Sequence, residues 1–247
     1  MTRVLTLLCL LGAFPPLAWS ADLPARLDWA QRLALSPSQA GVIEAVLVRP
    51  GQVVEAGTPL YRLDPTLAKA RLLEAQAEHD RASQDLADAQ RELDRVTELY
   101  ARTVSSTTEL DGAKLRQARA RAQLGIAQAR MESARRLLDD TEPRAPYRAR
   151  ILDRQAEPGQ VVTATCQPPT LLVLAHADTL VARASLGSEA AGRLRLGDKV
   201  GVRLGPQTHA AEISALRSMP DGHFQVEATL ARPEAALAGM AATLRLP

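Results

Sequence analysis

Two hydrophobic periodicities divide this chain. From Thr66 to Glu142 large and small side chains recur every seven residues. Leu72, His79, Leu86, Leu93 and Tyr100 occupy one register, with Ala75, Ala82, Ala89 and Val96 in the companion register. A second arm repeats the scheme with Leu110, Gln117, Leu124, Met131 and Leu138 beside Ala113, Ala120, Ala127 and Ala134. Spacing of this kind predicts two long helices, and an alanine register lets them approach closely as a coiled coil. The segment contains no proline and only Gly112 and Gly125, and it is bounded by Asp64-Pro65 and by Pro143. Those bounds supply an N-cap with a first-turn proline and a stop. The Ser/Thr-rich break from Thr103 to Thr108 marks the reversal. Each arm of about 35 residues, at 1.5 Å rise, extends roughly 50 Å.

Outside this segment the pattern is β-like. Pro50-Gly51-Gln52-Val53-Val54 recurs as Pro158-Gly159-Gln160-Val161-Val162, each preceded eight residues before its glycine by an isoleucine, Ile43 and Ile151. Each copy reads strand, turn, strand. Pro at the second and Gly at the third turn position suit a type II turn, where proline fixes φ and glycine accepts a positive one. Neither half holds a core alone, so the two are expected to pack together as a small β-sandwich. Farther on, short β-rich runs (179–186, 200–204, 210–216, 224–230 and 241–246) alternate with turn signals, as in a small antiparallel barrel. The stretch Ala25–Leu35 is expected to add a strand to that barrel, and Ser188–Leu194 to form a short helix.

Composition narrows the function. Of 247 residues 46% are hydrophobic, yet only two Phe, three Tyr and two Trp are aromatic, which disfavours a stacking platform for bases or sugars. Thirty basic residues face 28 acidic ones, interspersed, so there is no basic footprint for nucleic acid. Residues 1–20 read as a cleaved secretory signal: Arg3, an apolar run from Val4 to Leu17, and Ala18-Trp19-Ser20 with small residues at the −3 and −1 places. An uncleaved membrane anchor is the alternative, although the run is short of the roughly 20 residues needed to span. Cys9 follows Leu7-Leu8 rather than a small residue, so it does not read as a lipid-attachment site. Cleavage leaves Cys166 alone, without an intrachain disulfide.

The order of these features resembles the periplasmic adaptors, or membrane fusion proteins, of bacterial tripartite efflux and secretion systems, the HlyD-like and RND-associated adaptors. The first matching half is Gly41-Val42-Ile43, Val46, Val48, Gly51-Gln52-Val53-Val54, Gly57, Leu60 and Leu63-Asp64. The second half is Arg144-Ala145-Pro146-Tyr147, Ile151 and Pro158 to Val162, and Leu180-Val181-Ala182, Glu189, Leu196 to Val200 and Gly239-Met240 with Thr243 and Leu244 resemble the family's barrel signature. The resemblance implies a mainly β chain: a lipoyl-like β-sandwich split by an α-helical coiled-coil hairpin and followed by a small antiparallel β-barrel. On that scheme 1–20 is the signal peptide and 21–38 an N-terminal segment with a barrel strand. Residues 39–64 and 143–175 are the lipoyl-like halves, 65–142 the hairpin and 176–247 the barrel. Gly51 and Gly159 are the turn glycines.

Adaptors that dock on TolC-like outer-membrane channels resemble one another in an Arg, a Leu four residues on and a Ser eleven on. Arg95, Leu99 and Ser106 match. The resemblance thus implies a soluble periplasmic protein, peripheral to the inner membrane, that links an inner-membrane transporter, RND or other, to such a channel and associates into a ring. Each of the three residues has an ordinary alternative: Arg95 pairing with Glu92 or Glu98, Leu99 packing in the coiled coil, and Ser106 with Glu109 forming a capping box. The whole chain has one too, a periplasmic binding or regulatory module that uses the hairpin as a spacer.

Enzymatic readings find little support. A lipoyl-like carrier holds its cofactor on a lysine at a tight hairpin between the halves, and here that place is taken by the long insertion, with Lys69 inside its first turn. His79, His176, His209 and His223 have no neighbouring His or Cys at ligand spacing, and Met131, Met219 and Met240 do not cluster. No phosphate loop, serine elbow or paired-carboxylate motif stands out. The expectation is therefore a non-enzymatic protein without cofactor or metal, with ATP or proton chemistry left to another chain.

Overall fold

The computed structural model describes residues 22–165, 167–220 and 222–246. The signal segment and Cys166 lie outside them. The described residues form two compact units, one of the residues up to Ala30 with those from Asp178 onward, the other Gln31–Ala177.

The second unit contains two small sheets and the hairpin. One sheet has the order β2 (Leu33–Leu35), β8 (Leu172–His176), β6 (Ala149–Arg154), β4 (Val53–Val54); the other has β5 (Tyr61–Leu63), β3 (Gly41–Val46), β7 (Val161–Val162). Each sheet joins the two copies of the repeat: β3 pairs with β7, and β4 pairs with β6. Ile43, Leu60, Leu63, Ile151, Leu171 and Leu174 are fully buried between the sheets. Burying a side chain of that size stabilises by about 1.5–3 kcal/mol, which neither half achieves without the other. Gly51 and Gly159 have φ of 85° and 84°.

Between the halves run α1 (Thr66–Ala101) and α2 (Thr107–Asp139), antiparallel neighbours along their length. Ala75, Ala82 and Val96 on α1 face the partner helix together with Ala113, Ala127 and Ala134 on α2, all buried. The leucines of the other register are half-buried, as flanking knobs over an alanine seam. Glu78 accepts from Arg130 at 2.6 Å and Gln90 from Gln117 at 3.2 Å across the hairpin, fixing the slide of one helix on the other. The start of α1 departs from the sequence expectation by one residue. Pro65, not Asp64, holds the N-cap position, while Asp64 Oδ1 accepts the Thr66 N–H at 2.9 Å and so satisfies an open donor of the first turn.

The first unit is a closed six-stranded barrel of β1 (Asp22–Trp29), β13 (Ala241–Arg245), β10 (Lys199–Leu204), β11 (Gln207–Ser218), β12 (Phe224–Ala231) and β9 (Thr179–Leu186), in that order. Alternate residues point inward. Leu27, Leu180, Val202, Ile213, Leu230 and Leu244 supply bulk, with alanines between them. The helix α3 (Ser188–Ala191) is shorter than the sequence suggested. Ala25–Leu35 is also not one strand: β1 ends at Trp29, and Leu33–Leu35 pairs with Leu172–Leu174 in the other unit. The break falls at Gln31, whose φ is +49°, and the Tyr147 hydroxyl donates to its carbonyl at 3.2 Å.

Candidate hairpin-tip docking site

The tip is built by two helix ends. At the end of α1, Val104 N–H donates to Leu99 O and Thr103 N–H to Tyr100 O, both at 2.9 Å, with Thr103 at φ +60°. This is a Schellman termination in which threonine holds the left-handed position usually given to glycine. Val104, 71% exposed, and Leu99 line the same groove, the apolar pairing that accompanies this motif. Ser106 then starts α2 with extended φ and ψ. Its Oγ accepts the Glu109 N–H at 3.2 Å, and its own N–H donates to Glu109 Oε2 at 2.8 Å, a complete capping box. The Ser105 hydroxyl adds a third bond to Glu109. These donors, Ser105 first, hold the Glu109 carboxyl below its ordinary range.

Arg95 lies on the exposed side of α1. Its Nε and Nη2 donate to the two oxygens of Glu92 at 3.0 and 2.7 Å, a forked pair on one helix. The bond from Arg95 holds the Glu92 carboxyl below the usual range, and Glu92 raises the Arg95 guanidinium above its own. Leu99 is half-buried one turn on. Together with Val96, Val104 and Gly112 these residues line an open groove of about 470 Å³ between the helix ends.

The structure therefore brings Arg95 and Leu99 into one groove and places Ser106 at the adjoining cap, its hydroxyl engaged with Glu109. Sequence reading missed Gly112, Val104 and Arg116 as groove residues, and it treated Glu92 only as one of two surface partners for Arg95. The seven-residue pattern marks none of them, since all lie off its two registers.

The other candidates lie elsewhere. Lys69 is exposed in the first turns of α1. His79 is half-buried in its core register beside Asp80 at 3.3 Å, and His176 stacks on Tyr147 with ring centroids 5.1 Å apart. Among the described residues no three His, Cys, Asp or Glu side chains are grouped to hold a metal ion, and no helix is long and apolar enough to cross a membrane.

A split two-sheet module carrying an inserted helical hairpin, with a six-stranded barrel, is the architecture of membrane fusion proteins. No family model matches the chain. It is similar to a MacA–MexA chimera containing the α-hairpin domain of Pseudomonas aeruginosa MexA, with TM-score 0.66 and 19% identity over 92% of this chain and 80% of the chimera. It is also similar to the membrane fusion protein Spr0693 from Streptococcus pneumoniae R6, with TM-score 0.61 and 16% identity, covering 92% and 98% of the two chains. MacA from Actinobacillus actinomycetemcomitans gives TM-score 0.52 at 18% identity, covering 92% and 77%. In sequence, 62 residues are 42% identical to the alkaline protease secretion protein AprE of Pseudomonas aeruginosa, a stretch that spans 25% of this chain and 14% of AprE. The chain thus has the fold of these membrane fusion proteins, and a quarter of its sequence is similar to a secretion protein.

Proposed function

We propose that this protein is an exported periplasmic adaptor, without enzymatic activity or cofactor, that bridges an inner-membrane transporter and a TolC-like outer-membrane channel. The observation that carries the reading is the placement of Arg95 and Leu99 in one groove, beside the Ser106 cap, at the far end of a hairpin some 50 Å long. Arg95 supplies charge-assisted hydrogen bonds and Leu99 an apolar contact, while Ser106 keeps the tip in shape. Its likeness to secretion and efflux adaptors supports the same role.

Self-association into a ring belongs to this reading. Helix α1 carries eight carboxylates against five cations, and α2 seven cations against four carboxylates. The side of α2 turned away from α1 also exposes Leu115 and Ile126, about half accessible, along a stripe with Ala118 and Ala122. Opposite charge on the two helices favours α1 of one copy beside α2 of the next. That contact is head-to-tail and closes into a ring when the rotation permits.

Export of the system's cargo tests the role. Arg95→Asp abolishes export while the far-ultraviolet circular dichroism and melting of the purified protein stay unchanged, because an exposed coiled-coil surface tolerates the change. Full export by a folded Arg95→Asp variant contradicts the docking role.

A further inference from the structure

The tip holds a second cation, and one carboxylate serves both. Arg95 grips Glu92 from α1, and from α2 the Arg116 Nη2 lies 4.0 Å from Glu92 Oε1. All three border the groove that Val96, Leu99 and Val104 also line. At Gly112, one turn before Arg116, there is no side chain, and a Cβ there would sit 3.5 Å from Arg116 Nη1. Around Glu92 two guanidinium groups face one carboxylate; Glu109, the other carboxylate of the groove, is engaged by Ser105 and Ser106 instead.

Exposure decides what this cluster is for. The side chains of Arg95 and Arg116 are 63% and 58% accessible and that of Glu92 36%. Solvated pairs of this kind are weak, so the Glu92 bonds do little for the hairpin's stability and are readily exchanged. Close charge pairs shielded from water by a partner couple more strongly than solvated ones. We propose that Arg116 is a second docking residue, and that Glu92 fills in the free hairpin the place taken on docking by a carboxylate of the partner. The partner surface this fits presents an acidic side chain beside an apolar one, the first between Arg95 and Arg116, the second on Leu99 and Val104. The inference rests on the docking role of the tip.

The test is in-cell photocrosslinking from a benzophenone amino acid at Thr103, in the full-length protein, reading the yield of the outer-membrane adduct. Arg116→Glu lowers the yield at least tenfold, as Arg95→Glu does. Glu92→Gln raises it severalfold, because it removes the competing carboxylate and leaves both cations in place. Arg91→Glu, on the same helix outside the groove, leaves it unchanged. Arg116→Gln replaces Arg116→Glu if the reversal disturbs the melting curve. Loss of the adduct in Arg95→Glu with normal yields in Arg116→Glu and Glu92→Gln overturns the inference and leaves the docking role standing. A normal yield in Arg95→Glu overturns both.

Discussion

The backbone N–H of Gly51 donates to the carbonyl of Ile151 at 2.8 Å, and Gly159 in the other copy of the repeat donates to Ile43 at the same distance. The return bonds match: Ile151 N–H to Gln52 O and Ile43 N–H to Gln160 O, both at 2.9 Å. Each turn is therefore clamped to the strand of the opposite half. The module is a pseudo-symmetric pair whose halves complete one another although the hairpin separates them in sequence.

That exchange makes the turn glycines a measurable element of stability. Nothing lies within 4 Å of a Cβ added at Gly51 or Gly159, so alanine meets no clash and the cost is conformational. At φ near +85° it amounts to about 1–2 kcal/mol. Gly51→Ala and Gly159→Ala should each lower stability by that amount in denaturant unfolding. Gly125, exposed within α2 and equally free of neighbours, should do the reverse, with Gly125→Ala stabilising by about 1 kcal/mol.

The hairpin's seam depends on small side chains. Ala127 is fully buried and Ala82 is 3% exposed. Ala127→Leu forces the helices apart and should cost about 1–3 kcal/mol, with loss of helical signal at lower temperature. Ala122→Leu, on the outer surface, should leave melting nearly unchanged.

Acid should loosen the hairpin in a defined window. Glu109 is held below the ordinary 4.5 by Ser105, and Asp64 below 3.8 by Thr66. A carboxylate lowered in the folded state contributes stability that is fully present above its unfolded value. That contribution is lost as pH falls through the folded value. Melting should therefore be flat from about pH 8 to 5 and decline below about pH 4. Glu109→Gln, which can still cap, should shrink that decline.

Much of this fold was legible because its determinants are local or periodic. The Pro-Gly-Gln-Val-Val repeat announced the two turns, and the alanine register announced the hairpin seam. What escaped depends on tertiary geometry. Gln31 takes a left-handed φ without being glycine, so nothing marked the break that sends Leu33–Leu35 to a different sheet from Trp29. Thr103 ends α1 where a glycine would have given the position away. Glu92 and Arg116 meet only because the helices slide to one register, and seven-residue spacing leaves that slide open by whole heptads. The Arg95, Leu99 and Ser106 pattern was visible as residues, but the groove around it was not.

The charge difference between the helices makes assembly testable by salt and by reversal. Arg119 and Arg121 lie exposed on α2. Arg119→Glu combined with Arg121→Glu should shift sedimentation toward the monomer, and raised ionic strength should act in the same direction on the unaltered protein. Assembly that ignores both would place the contact elsewhere.

The bridging role itself is tested most directly by identifying what the tip touches. Thr103 is exposed at the apex of the reversal, and a photoreactive residue there replaces a β-branched side chain already in the left-handed position. In cells expressing the assembled system, the captured partner should be an outer-membrane channel of the TolC type. Capture of a soluble periplasmic protein, or no adduct under those conditions, would contradict the adaptor account and make the hairpin a spacer.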